Sequence, residues 1–134
     1  MYFYDVNLLA ALAGAVAMMF VGMAWYSKPM FGKQFLAFNN LTEEDVKNGP
    51  KIMFLYGFLN SIVTSFMLAF FLQKLGANNT SSVVTTALLL WLGLSATTQL
   101  LPWIWERQNG QLTLINVSHQ GTGILCSALV MNLF

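Results

Sequence analysis

Four long stretches of this chain carry no charged side chain. They cover residues 6–27, 52–73, 75–105 and 108–134, and they hold 22, 22, 31 and 27 residues. A helix that crosses a lipid bilayer needs about 20 predominantly apolar residues. The spacing of the charges therefore predicts an all-α integral membrane protein with four transmembrane helices.

The composition agrees with this prediction and excludes several other classes of protein. Only 8% of the 134 residues are charged and 57% are hydrophobic, whereas roughly 25% of the residues of a soluble domain are charged. These charges are too few to cover a soluble surface. The net charge of +1 provides no basic patch for nucleic acid, which we do not expect as a partner. The single cysteine, Cys126, excludes an intramolecular disulfide and a CxxC redox pair.

We expect a single four-helix transmembrane domain over residues 1–134, arranged as two hairpins. The spans are predicted at about residues 6–26, 52–73, 82–105 and 112–134, and the loop at 27–51 is the only long connection. Its first part, KPMFGKQFLAF, mixes apolar residues with lysines, which is typical of an amphipathic interfacial segment. Its second part, LTEEDVKNGP, predicts a short helix that Thr42 caps, with the acidic Glu43 to Asp45 in its first turn.

Positively charged residues are distributed unequally between the predicted loops. Those after spans one and three carry five of the six Lys and Arg residues, namely Lys28, Lys33, Lys47, Lys51 and Arg107. The loop after span two carries only Lys74. The positive-inside rule therefore places the loop at 27–51 on the cytoplasmic side and both termini outside. We expect a multi-pass protein of a plasma membrane or a bacterial inner membrane.

Aromatic residues lie close to several predicted span ends. Tyr and Trp favour this depth because the ring is apolar while its O–H or N–H group needs a polar partner. We therefore interpret these residues as interfacial anchors rather than ligand-binding groups. They are Tyr2, Phe3 and Tyr4 before span one, Trp25 and Tyr26 after it, and Trp103 and Trp105 at the end of span three.

The polar residues of the last predicted span fall on one helical face. At 3.6 residues per turn, an arc of about 120° holds Asn116, His119, Gln120, Gly123, Cys126 and Ser127. We expect the opposite face to contact lipid; its residues include Leu114, Val117, Ile124, Leu125, Ala128 and Met131. Polar residues in the middle spans include Asn60, Thr98 and Gln99. Such faces either hold helices together by hydrogen bonds or line a pocket or a polar path.

His119 is the only histidine and lies near the middle of a span. A neutral imidazole there can both donate and accept a hydrogen bond, which fits a structural role or a role in ligand or proton handling. One histidine cannot form a bis-His haem site, and with one cysteine it makes a poor metal site. We therefore expect no cofactor and no metal.

Glu106 and Arg107 form the only charged pair at the end of the third span. They lie on the predicted cytoplasmic side, as do Lys28 and Lys33. The pair is either an interfacial anchor or part of a gate or a lipid-headgroup contact. Pro102 is expected to weaken the helix one turn earlier.

Three segments of the chain resemble a known family. WYSKPMFGKQF (25–35) resembles the W-Y-S-P-x-x-F-G-K-x-W signature of the domain-of-unknown-function 1761 family, with Lys28 at the usual proline position and Phe35 at the closing tryptophan. LTEEDVKNG (41–49) and LINVSH (114–119) are also similar to it. The signature residues carried over are Trp25, Tyr26, Ser27, Phe31, Gly32 and Lys33. The resemblance implies a small four-helix membrane protein without an established activity.

The sequence supports two main hypotheses about function. The first is a non-enzymatic, self-associating four-helix bundle that binds membrane lipid or a small ligand between its helices. The alternative is a small transporter or channel with a polar path past His119 and Asn116. It is similar in size and span number to the small multidrug resistance exporters, but the first span lacks their membrane-embedded glutamate. A lipid-directed enzyme is a third reading, for which Glu106 has no visible nucleophile or metal partner.

Overall fold

The computed structural model describes residues 5–134, and within this range every regular element is a helix. The predicted anchors Tyr2, Phe3 and Tyr4 lie outside the described residues. The helices are α1 (Leu8–Trp25), α2 (Gly32–Phe38), α3 (Glu43–Lys47), α4 (Ile52–Lys74), α5 (Thr80–Leu90), α6 (Thr97–Gln99), α7 (Leu101–Trp105) and α8 (Gly110–Met131), with a π-helical segment, Trp91–Ala96, between α5 and α6.

Four helical runs are long and apolar enough to cross a membrane. They are α1, α4, the run Thr80–Trp105 and α8, with mean hydropathies of 2.1, 1.7, 1.5 and 1.2. This result confirms the prediction of an all-α chain with four candidate spans, as a multi-pass membrane protein requires. α1 begins after Asn7, whose side chain accepts a hydrogen bond from the backbone N–H of Ala10 and so satisfies one free donor at the helix start.

The third run, Thr80–Trp105, is not a continuous α-helix. A π-helical segment interrupts it, and directly after this segment the hydroxyls of Thr97 and Thr98 donate hydrogen bonds of 3.0 and 2.7 Å to the carbonyls of Gly93 and Leu94. A second break follows between α6 and α7, directly before Pro102. Proline has no N–H group, and the break lies beside Pro102, about one turn before Glu106, where the helix was expected to be weakened. The π-helical segment was not predicted.

α8 occupies the central position among the four long helices. It packs against α1 on one side and against α5 and the π-helical segment on the other, while α4 packs mainly against α1. The chain therefore forms two packed hairpins, α1 with α4 and the third run with α8. Because of this arrangement, Val117, Ile124, Ala128 and Met131 are all buried. The prediction that their face of α8 contacts lipid is wrong, although Leu114 is exposed.

Small residues let α1, α4 and α8 approach closely at one level. The Ser65 hydroxyl of α4 donates a hydrogen bond of 2.5 Å to the Ala11 carbonyl of α1, and it lies 3.3 Å from the Ser127 hydroxyl of α8. Both serines are fully buried. A Cβ atom on Gly14 of α1 would lie 2.5 Å from both hydroxyl oxygens. Close helix contact in membranes depends on such small side chains.

The loop between α1 and α4 contains the two expected structured parts. α2 forms within the predicted interfacial segment, and α3 is the predicted short helix. The Thr42 side chain accepts a hydrogen bond from the Asp45 N–H, and the Asp45 carboxylate accepts one of 2.8 Å from the Thr42 N–H. This reciprocal pair is a capping box, and it confirms Thr42 as the cap.

Candidate functional site

A cavity with several polar lining residues lies between α1, α4 and α8, and we call it the central cleft. It has a volume of about 490 Å³. Its walls carry five polar residues of α4 and α8 together with Tyr26, three glycines, and apolar side chains. The lining residues are Met18, Met19, Gly22, Met23, Tyr26, Phe54, Gly57, Asn60, Ser61, Thr64, His119, Gln120, Gly123 and Ile124.

The position of the cleft follows from the direction of its three helices. Asn60 lies near the start of α4 and His119 lies within the first half of α8. At 1.5 Å per residue, both lie roughly 12–14 Å from the helix ends on the side of the α1–α4 loop. Gly22 approaches from the last turn of α1. The cleft therefore extends from that side of the membrane towards the middle of the bilayer.

His119 lies against the aromatic residues that end α1. Its ring centroid is 4.9 Å from that of Tyr26 and 6.5 Å from that of Trp25. A Cβ atom on Gly22 would lie 3.2 Å from Nε2 of His119, so a glycine at this position leaves room for the imidazole. The Trp25 indole N–H donates a hydrogen bond of 3.1 Å to the Ile115 carbonyl of α8. The Trp25 indole N–H therefore finds its partner within the protein. The interpretation of Trp25 as an interfacial anchor did not predict this bond.

Asn116 is held by Tyr26 and does not line the central cleft. The Tyr26 hydroxyl donates a hydrogen bond of 2.8 Å to the side-chain oxygen of Asn116. The Tyr26 ring also packs on Phe35 of α2, with a centroid distance of 4.7 Å. Tyr26 therefore joins the end of α1 to α2 and α8, and it closes the cleft on the side of the loop.

Three polar side chains of the cleft have no partner in the described chain. The imidazole of His119 and the amides of Gln120 and Asn60 form no hydrogen bond with any group of residues 5–134, and each remains at least partly accessible. The two hydroxyl groups that α4 contributes to the cleft do have partners, since Ser61 and Thr64 donate hydrogen bonds to the carbonyls of Gly57 and Asn60. The cleft thus presents unused donors and acceptors inside an apolar region.

Thr98 and Gln99 lie in a second cavity, which we call the side cleft. This cavity of about 470 Å³ lies between α4, α8 and the third run. The Thr98 hydroxyl donates to the Leu94 carbonyl, and the Gln99 amide donates a hydrogen bond of 3.0 Å to the Ser95 hydroxyl. The side cleft is lined by Val63, Thr64, Met67, Leu68, Phe71, Leu90, Leu94, Ser95, Thr98, Gln99, Gln120 and Ile124.

The signature segment 25–35 builds the loop side of the site. Trp25 and Phe31 pack with a centroid distance of 5.0 Å, and the Ser27 hydroxyl donates to the Ala24 carbonyl. A Cβ atom on Gly32 would lie 2.5 Å from the Tyr26 carbonyl oxygen, so only glycine fits here. Lys33 is exposed.

Beside this segment lies a groove of about 340 Å³, which we call the interfacial groove. It is lined by Tyr26, Ser27, Lys28, Gly32, Lys33, Phe35, Leu36, Glu43 and Val46. Lys28 forms an exposed ion pair of 3.0 Å with Glu43 at its edge. Tyr26 lines both this groove and the central cleft, so its side chain separates the two.

Glu106 and Arg107 lie apart from these cavities. Both are exposed at the end of α7, and neither lines the central cleft, the side cleft or the interfacial groove. Arg107 has a positive φ of 57°. Among residues 5–134, no three His, Cys, Asp or Glu side chains are grouped as metal ligands.

The sequence did not identify the contact of Trp91 with α8. The Trp91 indole N–H donates a hydrogen bond of 3.2 Å to the Val117 carbonyl. A Cβ atom on Gly121 would lie 2.6 Å from the indole ring, so this glycine provides the space for Trp91. The GxG at 121–123 was the available signal, because small residues in a span often mark a close contact.

Comparison with known proteins places the chain in a family but supplies no activity. No curated protein and no solved structure matches it. The family described as "Protein of unknown function (DUF1761)" matches residues 9–132. This match confirms the resemblance seen in the segment 25–35, and the chain belongs to the DUF1761 family.

Proposed function

We propose that this protein is a non-enzymatic membrane protein that binds a lipid or another small ligand in the central cleft. The observation that supports the proposal is the set of unpartnered polar groups on His119, Gln120 and Asn60. The cleft volume of about 490 Å³ is within the range of roughly 300–1,000 Å³ that is usual for small-molecule sites.

Polar groups that lack a hydrogen-bond partner are costly in hydrocarbon. Transfer of an amide from water to an apolar medium without a hydrogen bond costs roughly 2–7 kcal/mol. In the middle of a bilayer, little water is present to satisfy such groups. A ligand whose polar end bonds to His119, Gln120 and Asn60 would offset this cost, and its apolar part would match the methionines of the wall.

The test is to fill the cleft by substitution and to compare how much lipid or small molecule each variant retains. Gly57 lines the cleft and a Cβ atom there meets nothing within 4 Å, so the side chain of Gly57→Leu starts in open space and adds bulk to the cleft. Gly93 has the same open surroundings but lies outside both clefts, which makes Gly93→Leu the matched control. Native mass spectrometry of each purified variant measures the lipid or small molecule that stays bound.

We expect the wild type and Gly93→Leu to retain a bound molecule. Gly57→Leu should retain at least about tenfold less of it, because the added side chain occupies the site. Equal retention by the two variants, or no retained molecule in the wild type after reconstitution into native lipid, would refute the proposal.

A small transporter or channel is the second candidate. It is supported by the position of His119, a group able to donate and accept a proton, in a cleft that extends towards the middle of the membrane. If the protein is a transporter or channel, we expect His119→Ala and Asn116→Ala to abolish its flux across proteoliposome membranes. Ser118→Ala, on the same helix but outside both clefts, should leave the flux intact. Unchanged flux in the two former variants would exclude this function.

We also propose that copies of the chain self-associate. The support is that α4 and the third run each bury only 17% of their best apolar window within one chain, against 39% for α8. A thin monomer leaves these helices available for contact with another copy. Cross-linking in native membranes tests this proposal, and the recovery of monomer alone would contradict it.

For the orientation, we propose that the α1–α4 loop is cytoplasmic and that both termini are outside. The distribution of five Lys and Arg residues against one supports this arrangement. Reporter fusions after Phe134 test it, since a reporter that is active only in the cytoplasm should remain inactive there. An active reporter would reverse the orientation.

A further inference from the structure

The central cleft and the side cleft are adjacent. Thr64, Gln120 and Ile124 line both cavities, so the two clefts meet at these side chains. Their walls differ in chemistry. The unpartnered polar groups of His119 and Asn60 belong to the central cleft, whereas α4 and α5 give the side cleft an apolar wall formed by Val63, Met67, Leu68, Phe71 and Leu90.

No Lys, Arg, Asp or Glu side chain among residues 5–134 lines either cleft. An ionic headgroup in either cleft would lose its hydration without gaining a counter-charge, which is strongly unfavourable. The available lysines, Lys28 and Lys33, lie in the interfacial groove on the other side of Tyr26. The charge distribution therefore disfavours an anionic or cationic headgroup in either cleft.

We propose that the ligand is an uncharged amphiphile with a single hydrocarbon chain, whose polar head bonds to His119, Gln120 and Asn60 and whose chain occupies the side cleft. This inference rests on the proposed function, because it assigns the chemical class of the molecule in the central cleft. The chain enters the side cleft beside Thr64 and runs along α4 towards Phe71, a distance of roughly 10 Å along the helix. It therefore points away from the α1–α4 loop.

The probes for the test are two photoreactive lipids with the same chain. One is a monoacylglycerol and the other is the corresponding lysophosphatidic acid, each with a diazirine and an alkyne on the acyl chain. Both are added to the full-length protein in nanodiscs of uncharged lipid. We expect the monoacylglycerol to label the protein at least fivefold more than the lysophosphatidic acid, with competition by unlabelled monoacylglycerol. Peptide mass spectrometry should place the label on side-cleft residues such as Leu90, Leu94 and Phe71.

A matched pair of variants tests the position of the chain. Both Leu94 and Leu92 are exposed on the same segment, but only Leu94 lines the side cleft. We expect Leu94→Trp to reduce the labelling at least fivefold and Leu92→Trp to leave it unchanged. Thr64→Val against Thr97→Val provides a second pair with a smaller change in volume. Each threonine bonds to the carbonyl four residues earlier, but only Thr64 lines the two clefts.

The outcomes separate this inference from the proposed function. Equal labelling by both probes would overturn the uncharged class, and a label outside the side cleft would overturn the position of the chain. A changed oligomeric state of Leu94→Trp with unchanged labelling would show that a second copy covers the side cleft, which also overturns the inference. In each case the function still stands if Gly57→Leu loses the retained molecule and Gly93→Leu keeps it. If these two variants retain it equally, the proposed function itself fails.

Discussion

The Tyr26 hydroxyl donates a hydrogen bond of 2.8 Å to the Asn116 side chain, across 90 positions of sequence. This bond joins the end of α1 to α8 directly beside the central cleft. The same tyrosine ring packs on His119 and on Phe35. Tyr26 thus connects three helices through one side chain, and its removal should affect stability at the site more than a tyrosine on the lipid-facing surface.

Tyr26→Phe should destabilise the protein by about 0.5–2 kcal/mol, because the ring contacts remain while the Asn116 oxygen loses its partner. The free energy of unfolding in mixed detergent micelles measures the change. Tyr56→Phe is the control, since Tyr56 is exposed on α4 and its hydroxyl forms no hydrogen bond with the described residues. Equal effects of the two substitutions would show that the bond contributes nothing to stability.

Gly121→Ala should displace the Trp91 indole. The added Cβ would lie 2.6–2.9 Å from three ring atoms, and the hydrogen bond to the Val117 carbonyl would be strained or lost. We expect a loss of about 1–3 kcal/mol, which is typical of overpacking, together with a change in tryptophan fluorescence. Gly57→Ala is the matched control, because its Cβ meets nothing within 4 Å. A fluorescence spectrum of Gly121→Ala identical to that of the wild type would contradict the contact.

Ser65→Ala should weaken the packing of α4 against α1. The Ser65 hydroxyl bonds to the Ala11 carbonyl of α1, whereas the Ser61 hydroxyl bonds only within α4. We therefore expect a loss of about 1 kcal/mol for Ser65→Ala and less than about 0.5 kcal/mol for Ser61→Ala. Thermal unfolding in detergent compares the two variants. A larger effect of Ser61→Ala would place the important hydrogen bond within α4 rather than between helices.

The capping box of α3 should respond to acid. Hydrogen bonds from the Thr42 backbone N–H, and secondarily from its side chain, hold the pKa of Asp45 below its usual value of 3.8. A lowered folded-state pKa means that the carboxylate stabilises α3 above the unfolded pKa, and that this contribution is lost as the pH falls through the folded pKa. The NMR shift of the Thr42 amide proton should therefore titrate below pH 3.8.

Asp45→Asn should remove this titration, while Glu44→Gln should preserve it, because Glu44 lies on the same short helix without a capping bond. A titration midpoint at or above the ordinary aspartate pKa would contradict the role of the Thr42 N–H. So would an Asp45→Asn variant that retains the acid response of the Thr42 amide.

The span pattern was predictable because a membrane imposes a length and an apolar composition on every helix that crosses it. The helix α3 was predictable for a local reason, since Thr42 and Asp45 have the spacing of a capping box. In both cases the determining interactions lie within one segment of the sequence. The Tyr26–Asn116 bond depends on how distant helices pack, and no local pattern contains that information.

The lipid-facing side of α8 was predicted wrongly for a physical reason. Lipid tails and a protein interior are equally apolar, so hydrophobicity does not distinguish Val117 and Ile124, which are buried, from Leu114, which is exposed. The polar arc was more informative for the site. His119 and Gln120 line the central cleft as a pair, whereas Asn116 bonds to Tyr26 and Ser127 belongs to the tight contact with Ser65.

The two tryptophan hydrogen bonds to α8 fix its rotation about its own axis. Trp25 bonds to the carbonyl of Ile115 and Trp91 to that of Val117; these carbonyls are two residues apart, roughly 200° around the helix. Apolar contacts alone would let a helix rotate about its axis in a membrane at little cost, because each of its faces would meet similarly apolar surroundings. Two directional bonds from opposite neighbours remove this freedom. The direction in which His119 and Gln120 project from α8 is therefore set by two indole groups that lie outside the central cleft.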